Sequence, residues 1–164
     1  MKGIRRIMVP IAFSSHTEDL IRYAADLAAP FEAELLLVNI INERDIETLE
    51  RISSYGYKVD EEQYIKEIET ERLQEVDRIL GNIPFSDKRI RVLFRVGKPA
   101  DALLRVAVEE DVDLIVMGIR DRTDFFHTLT GSVADKVFRR SPITIVSYRD
   151  EKNAEHLRKR LHLD

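Results

Sequence analysis

The chain contains no cysteine and no tryptophan among its 164 residues. The absence of cysteine excludes disulfides, thiolate-bound metals and a cysteine nucleophile. Its four histidines, at 16, 127, 156 and 162, are scattered and form no His-x-x-x-His pair, so no metal site built on histidines is expected. Glycine and proline are sparse, at six and five residues, and no repeat or low-complexity tract is present.

Long apolar runs are missing as well. None approaches the ~20 residues that a membrane-spanning helix needs. The first residues, MKGIRRIMVPIAF, lack the longer apolar core and the cleavage site of a signal peptide. We therefore expect a cytoplasmic protein with no membrane partner. The net charge of −4 implies no broad basic surface, so a nucleic-acid partner is not expected either.

What is present describes one ordinary domain. Apolar residues make up 44% of the chain and charged residues 34%, and the length is sufficient to bury a real core. We predict a single domain over residues 1–149. A charged tail follows over 150–164, helical at best, in which Ala154, Leu157 and Leu161 are spaced for one weak contact face.

Apolar runs alternate with segments of helical spacing. The runs typical of strands are 4–11, 34–41, 89–96, 113–118 and 142–148. Helical spacing marks 15–29, 60–80, 99–110 and 132–139. Ser14 or Ser15 can cap the first helix, and Glu18 is placed for a capping box from Ser15. Segment 42–57 has mixed character and is predicted to be irregular with some helix. The alternation predicts an α/β fold, a doubly wound parallel sheet with helices on both faces.

A glycine loop follows the fourth strand. Gly118 ends that strand, and Gly131 and Ser132 stand where the next helix begins. Helix-start N–H groups carry partial positive charge, and glycine lets an anion approach them. In a doubly wound sheet, ligands bind beyond the carboxyl ends of the strands where the order reverses. The loop is therefore either a phosphate site, to which Ser132 gives its hydroxyl and N–H, or a pair of tight turns.

Charged residues in this loop act in opposite directions. Arg120 and Arg122 offer counterions for phosphate, whereas Asp121 disfavours an anion within ~4–6 Å unless an arginine or a metal neutralises it. Neither G-x-x-x-x-G-K-[ST] nor G-x-G-x-x-G occurs in the chain. Lys98, in the turn at 97–99, is accordingly interpreted as a solvated residue.

Taken in order, these short motifs resemble the universal stress protein family over almost the whole chain. The resemblance is carried by residues 7–10, 13–14, 23–28, 41–44, 97–100, 113–118, 131–137 and 142–146. It implies a five-stranded sheet of order 3-2-1-4-5. It also implies a homodimer in which the fifth strands pair through Ile143, Thr144, Ile145 and Val146. An apolar edge strand invites such pairing on physical grounds too.

The resemblance also implies a set of nucleotide-binding positions. The ATP-binding branch carries G-x-x-G-x9-G-[ST] after the fourth strand. Gly118, Asp121, Gly131 and Ser132 occupy those places with the spacing intact, so Asp121 replaces the middle glycine. Ala12 stands where that branch has an aspartate that contacts the nucleoside. The remaining matched positions line the adenine side: Pro10, Ile40, Met117 and Val133.

Three functions follow as hypotheses. The first is a stress-response regulatory or binding module that binds an adenine nucleotide, ATP or AMP, with Mg²⁺, at the altered G-x-x-D-x9-G-S loop. The alternative is a family member that needs no cofactor and acts through homodimerisation and an unknown protein partner, bound by 42–62 or the tail. The third is enzymatic: slow ATP hydrolysis or phosphate transfer. The sequence offers no obvious base, nucleophile or catalytic metal set, so an enzyme is not expected.

Overall fold

A computed structural model describes residues 3–56, 58, 60–118 and 132–161. Its strands are β1 (Arg6–Pro10), β2 (Glu34–Asn42), β3 (Ile90–Gly97), β4 (Leu114–Gly118) and β5 (Thr144–Tyr148). The α-helices of these residues are α1 (Thr17–Ala28), α2 (Glu43–Ser54), α3 (Glu61–Leu80), α4 (Pro99–Glu109), α5 (Val133–Arg140) and α6 (Glu151–Arg160). Short 3-10 turns lie at Ala29–Phe31 and Asp87–Arg89. The strand ends fall within two residues of those predicted from sequence.

All five strands are parallel and pair in the order β3-β2-β1-β4-β5. The doubly wound sheet of order 3-2-1-4-5 is therefore confirmed. Met8 in the central strand lies opposite Leu36 on one side and Ile115 on the other. Because the chain winds outward from β1 in one direction and then from β4 in the other, the order reverses between these two strands.

Alternate residues of each strand enter two separate apolar layers. Ile7 and Val9 of β1 face α1 and α3, where they pack in one cluster with Ile21 and Val76. Met8 faces the opposite layer with Leu103 of α4 and Val137 of α5. Each fully buried aliphatic side chain stabilises the fold by about 1.5–3 kcal/mol. The strands therefore pack against helices on both faces of the sheet. Near-continuous apolar runs are typical of strands in a parallel sheet that is covered in this way.

Residues 43–54 form a regular helix, so some helix within 42–57 was predicted correctly, but the prediction that the segment is mostly irregular was wrong. Asn42 is the N-cap, and its side-chain oxygen accepts a hydrogen bond from the N–H of Arg44 at 3.2 Å. Ile46 is the buried residue of α2. A helix that buries so few residues has only a weak helical period of apolar residues. Because helices are predicted from that period, the regularity of α2 was not recognised.

The start of α1 also differs from the prediction. The N-cap is His16, and no described side chain caps this helix, so the capping box from Ser15 was wrong. The turn that leads into the helix is closed by the backbone, since the N–H of Thr17 donates to the carbonyl of Ser14 at 3.1 Å. Phe13, with φ at 51°, turns the chain sharply after β1. This turn places Thr17, a buried residue, at the first helical position.

The tail forms α6, which begins directly after β5. Asp150 caps it by accepting hydrogen bonds from the N–H of Asn153 at 2.9 Å and from its side-chain amide at 2.6 Å. Ala154 is half-buried, but Leu157 and Leu161 are 37% and 67% exposed, so the predicted contact face is used only at its start. Among the helices that the structure describes, none has both the length and the apolar character to cross a bilayer.

Candidate functional site

The candidate site lies where β1 and β4 end beside each other. Pro10 and Gly118, the last residues of these strands, are both half-buried, and Ala12 beyond β1 is exposed. α5 follows β4 in the chain and packs back along the sheet, so its first turn lies at the same carboxyl edge. This is the position at which ligands bind in doubly wound folds.

The predicted adenine-side residues share one face of the sheet. Ile40 and Met117 belong to the apolar cluster under α4 and α5. Pro10 lies two residues beyond Met8 of the same cluster, and side chains two apart on a strand point the same way. Val133 is exposed at the start of α5, whose next residue, Ala134, enters the cluster. The ends of β1, β2 and β4 and the start of α5 thus form a partly apolar surface at the carboxyl edge of the sheet.

Gly118 is not required by packing. A Cβ built on it would lie 3.7 Å from Cδ2 of Leu20, an ordinary van der Waals distance. Among the described glycines, the positive φ belongs to Gly56, so Gly118 is not held in a left-handed conformation. The fold would therefore accept alanine here, and a glycine at this strand end is free to serve close approach of a ligand to the backbone.

Ser132 caps α5 with its own side chain. Its Oγ accepts a hydrogen bond from the N–H of Asp135 at 3.1 Å, and its carbonyl accepts one from Lys136 at 3.1 Å. The hydroxyl hydrogen remains available to donate to an anion while the cap is intact. The first N–H groups of a helix lack intrahelical partners and carry partial positive charge. Ser132 therefore has the chemistry of a phosphate contact.

Part of the predicted site lies outside the described residues. These are Asp121, Arg122 and Gly131. The described part of the predicted site comprises Pro10, Ala12, Ile40, Met117, Gly118, Ser132 and Val133.

Sequence interpretation missed a polar cluster that supports the segment after β1. Asn39 of β2 is 4% exposed, and its Nδ2 donates to the carbonyl of Ile11 at 2.7 Å. The guanidinium of Arg72, from α3, donates to the Asn39 side-chain oxygen and lies 6.0 Å from the centroid of the Phe13 ring. Phe13 holds a left-handed conformation that costs a non-glycine residue about 1–2 kcal/mol. The available signal was Asn39 itself, a polar residue within the apolar run 35–41.

A second group of side chains lies where β5 ends. Tyr148, opposite Gly118 in the sheet register, packs on Tyr23 with ring centroids 5.0 Å apart. Burial raises the pKa of the Tyr148 phenol, and the carboxylates of Asp19 and Asp150 raise it further, so this hydroxyl stays neutral at physiological pH. The tyrosine pair thus joins α1 to the carboxyl end of β5 without adding charge.

One further prediction concerns the turn after β3. Lys98 is exposed, as predicted for a solvated turn residue, and its Nζ lies 3.7 Å from Oε1 of Glu43. Within the residues that the structure describes, no group of three or more His, Cys, Asp or Glu side chains could hold a metal ion.

The fold and the site define the class: an α/β protein with an open, doubly wound parallel sheet and a serine-capped helix start that follows the strand beside the reversal of strand order. Within that class, the chain belongs to the universal stress protein family, whose model matches residues 3–149. Residues 150–161, including α6, lie beyond the matched range.

Individual relatives agree with this assignment. A universal stress protein of Methanothermobacter thermautotrophicus is 31% identical over 144 residues, which cover 86% of this chain and 92% of the relative. The structure of the MJ0577 protein of Methanocaldococcus jannaschii superposes with a TM-score of 0.68 at 23% identity, over 92% of this chain and 99% of that one.

Two similar structures were solved with a nucleotide. A universal stress protein in complex with cAMP has a TM-score of 0.61 at 22% identity, over 90% of this chain and 98% of that one. One from Archaeoglobus fulgidus in complex with dAMP has a TM-score of 0.59 at 20% identity, over 90% and 100% of the two chains. At these identities the likeness shows the shared fold.

Proposed function

We propose that this protein is a cytoplasmic stress-response module that binds an adenine nucleotide between the carboxyl ends of β1 and β4. The observation that carries the proposal is the serine-capped start of α5 at the switch point of the sheet, following a strand that ends in glycine. A helix start of this kind is a ready anion site. The nucleotide complexes of two structurally similar family members support the choice of ligand.

In this proposal each side of the crevice has its own chemistry. The adenine ring packs on the apolar edge, and the phosphates lie at the first turn of α5 and the backbone of Gly118. Arg122 supplies a counterion, and Mg²⁺ or an arginine neutralises Asp121. The residues proposed to contact the ring are Pro10, Ile40, Met117 and Val133.

Two positions weaken the proposed binding. Ala12 offers no side-chain hydrogen bond to the nucleoside, a loss of about 0.5–3 kcal/mol. Asp121 in place of glycine adds bulk and charge at the phosphate turn, and costs about 1 kcal/mol or more if the turn needs a positive φ. Since ~1.4 kcal/mol is a factor of ten, we expect affinity ten- to a thousandfold below that of a protein with aspartate and glycine there.

The test is calorimetric titration of ATP, AMP and cyclic AMP, with and without Mg²⁺, into the unmodified protein and into Ser132→Ala. We expect saturable binding that Ser132→Ala weakens at least about fivefold, because a hydrogen bond to a charged phosphate is lost. Ser141→Ala, at the opposite end of α5, is the matched control and should bind normally. Thermal unfolding of both variants measures how much stability the loss of the α5 cap costs. Weaker binding without a matching loss of stability is then due to the lost hydroxyl contact with phosphate.

A second variant decides between the two candidate functions. Ala12→Asp/Asp121→Gly restores both altered positions and should bind more tightly than the unmodified protein. Absence of binding by every variant would refute the nucleotide proposal. Binding by the double variant alone would favour the alternative, in which the protein acts without nucleotide through self-association and a protein partner. Exposed Ala12, with no polar group for a nucleoside, is the observation that favours this alternative.

Either function is proposed to operate in a homodimer paired through β5. Ile143 and Ile145 are half-buried against the cluster under α4 and α5, and Val146 packs against the opposite layer. Thr144 is exposed on the same edge. Pairing with a symmetric copy would bury this apolar edge strand.

A further inference from the structure

A buried asparagine and a helix-borne arginine together support the turn after β1. Asn39 is almost fully buried and uses both ends of its amide: Nδ2 donates to the Ile11 carbonyl, and Oδ1 accepts from Arg72. Its partners come from two other parts of the fold, since Ile11 lies 28 residues before it and Arg72 lies 33 residues after it. A buried amide satisfied in this way is fixed in orientation, because an unmade hydrogen bond there is costly.

The same arginine also covers the strained residue of the turn. The Arg72 guanidinium lies over the ring of Phe13, whose φ of 51° is unusual for an aromatic residue. Phe13 packs against the apolar layer under α1 and α3. Strained backbone persists where surrounding contacts over-determine it, and here the contacts are a cation–π interaction, apolar packing and the tie from Asn39 to Ile11.

We propose that Asn39 and Arg72 are positioning residues of the crevice: they fix the turn 11–14 and thereby hold Pro10 and Ala12 against the nucleoside. The ligand part of this inference rests on the proposed function. The positioning of the turn is a property of the protein alone and is measurable without a ligand. Because the tie runs through side chains on β2 and α3, neither residue needs to touch the nucleotide.

The experiment compares Asn39→Leu and Arg72→Met with Arg78→Met as the matched control. Arg78 lies six residues further along α3 and pairs with Glu75 on the exposed side of the helix. Two amides report on the turn: Ile11, bound to the Val38 carbonyl at 2.9 Å, and Thr17, bound to the Ser14 carbonyl at 3.1 Å. For each protein we would measure hydrogen exchange at these two amides, hydrogen exchange in β4 and the Kd for AMP.

We expect exchange at Ile11 and Thr17 to be about tenfold faster in both test variants, with β4 unchanged. AMP should bind about five- to a hundredfold more weakly to these variants and normally to Arg78→Met. An equal rise in β4 would show that the residues only stabilise the fold, and would overturn the inference. Exchange at the turn no faster than in Arg78→Met would overturn it as well.

Two further outcomes are distinguishable. If Asn39→Leu does not fold, Arg72→Met decides, because that change removes a partly exposed side chain and leaves the Asn39 oxygen unpaired. If the unmodified protein binds no AMP, the proposed function and the ligand part of the inference both fail. Faster turn exchange in Arg72→Met would then still support positioning of the turn, and unchanged exchange would overturn that part too.

Discussion

At the scale of single residues, Asp150 joins the C-terminal helix to the start of α1. Burial alone would raise the pKa of this carboxyl. Hydrogen bonds from the backbone and side chain of Asn153, together with the His16 imidazole 3.6 Å away, more than offset that effect. The net pKa of Asp150 therefore lies below its ordinary value of 3.8. The charged form is the one that the folded protein favours.

Acid should therefore loosen α6. A carboxyl whose pKa is lower in the folded state stabilises the fold fully above its unfolded pKa, and this contribution is lost as the pH falls through the folded pKa. We expect the amides of residues 151–156 to lose protection in that range, below the ordinary value of 3.8, while the sheet persists. The measurement is an NMR titration that follows α6 and β2 together.

Two variants of Asp150 separate charge from capping. Asp150→Asn keeps a capping side chain without the titration, so its α6 signals should not respond to acid over the same range. Asp150→Ala removes the cap and should destabilise the helix by about 0.5–2 kcal/mol at neutral pH. If the acid response is the same in Asp150→Asn as in the unmodified protein, another group is responsible.

Single residues also mark the limit of sequence interpretation. Ser132 was predicted to start a helix, and the structure confirms its place as the N-cap of α5. Asn39 and Arg72 could not be paired in advance, because their contact joins β2 to α3 across 33 residues. Local spacing carries no information about such a contact. Side-chain roles that depend on packing between layers appear only in the assembled fold.

At the scale of elements, we expect α2 to open more easily than the helices of the two apolar layers, which are α1, α3, α4 and α5. Ile46 is its buried residue, whereas α1 buries six of its residues. Its start depends on the hydrogen bond from the Arg44 N–H to Asn42. Helices that bury little and have a local cap exchange their amides through local opening.

Replacing the cap tests this directly. Asn42→Ala should destabilise α2 by about 0.5–2 kcal/mol, since a capping oxygen is lost. We expect faster amide exchange over residues 45–54 and no change in β2, measured by hydrogen exchange with mass spectrometry. Asp60→Ala, which removes the side-chain cap of α3, is the control. Faster exchange in β2 after Asn42→Ala would mean that α2 is coupled to the sheet rather than opening alone.

The elements also show which patterns were readable. All five strands could be predicted because a sheet covered on both faces needs nearly continuous apolar runs, such as 34–41. The helix over 60–80 could be predicted from the helical spacing of its apolar residues, and Gly81 is its C-cap. The regularity of α2 could not, because a helix that packs through one buried side chain leaves little period in the sequence.

At the scale of the whole molecule, the two edges of the sheet differ. β3 carries Arg91 and Arg95 along its length, and Arg91 pairs with Glu110 at 2.9 Å. β5 has the sequence TIVSY and contains no charged residue. Charged side chains on an edge strand oppose pairing with another chain, and an apolar edge invites it. This contrast is why the proposed homodimer uses β5 rather than β3.

One substitution at each edge tests that choice. Val146→Lys places a charge in β5, and two-fold pairing would bring the two copies of that charge close together. Val92→Lys makes the same change on β3, at a half-buried valine that faces the same apolar layer. Sedimentation at several concentrations should show a dimer for the unmodified protein and for Val92→Lys, and a monomer for Val146→Lys.

The pair of variants also separates association from folding. Both lysines disturb the same apolar layer, so we expect similar losses of monomer stability. A difference in sedimentation between the two variants then shows which edge strand forms the dimer interface. The melting temperature of the unmodified protein should rise with its concentration, as mass action requires for a folded dimer in equilibrium with unfolded chains. A melting temperature independent of concentration, with a monomer in every sample, would refute pairing through β5. A monomer for Val92→Lys and a dimer for Val146→Lys would instead place the interface at β3.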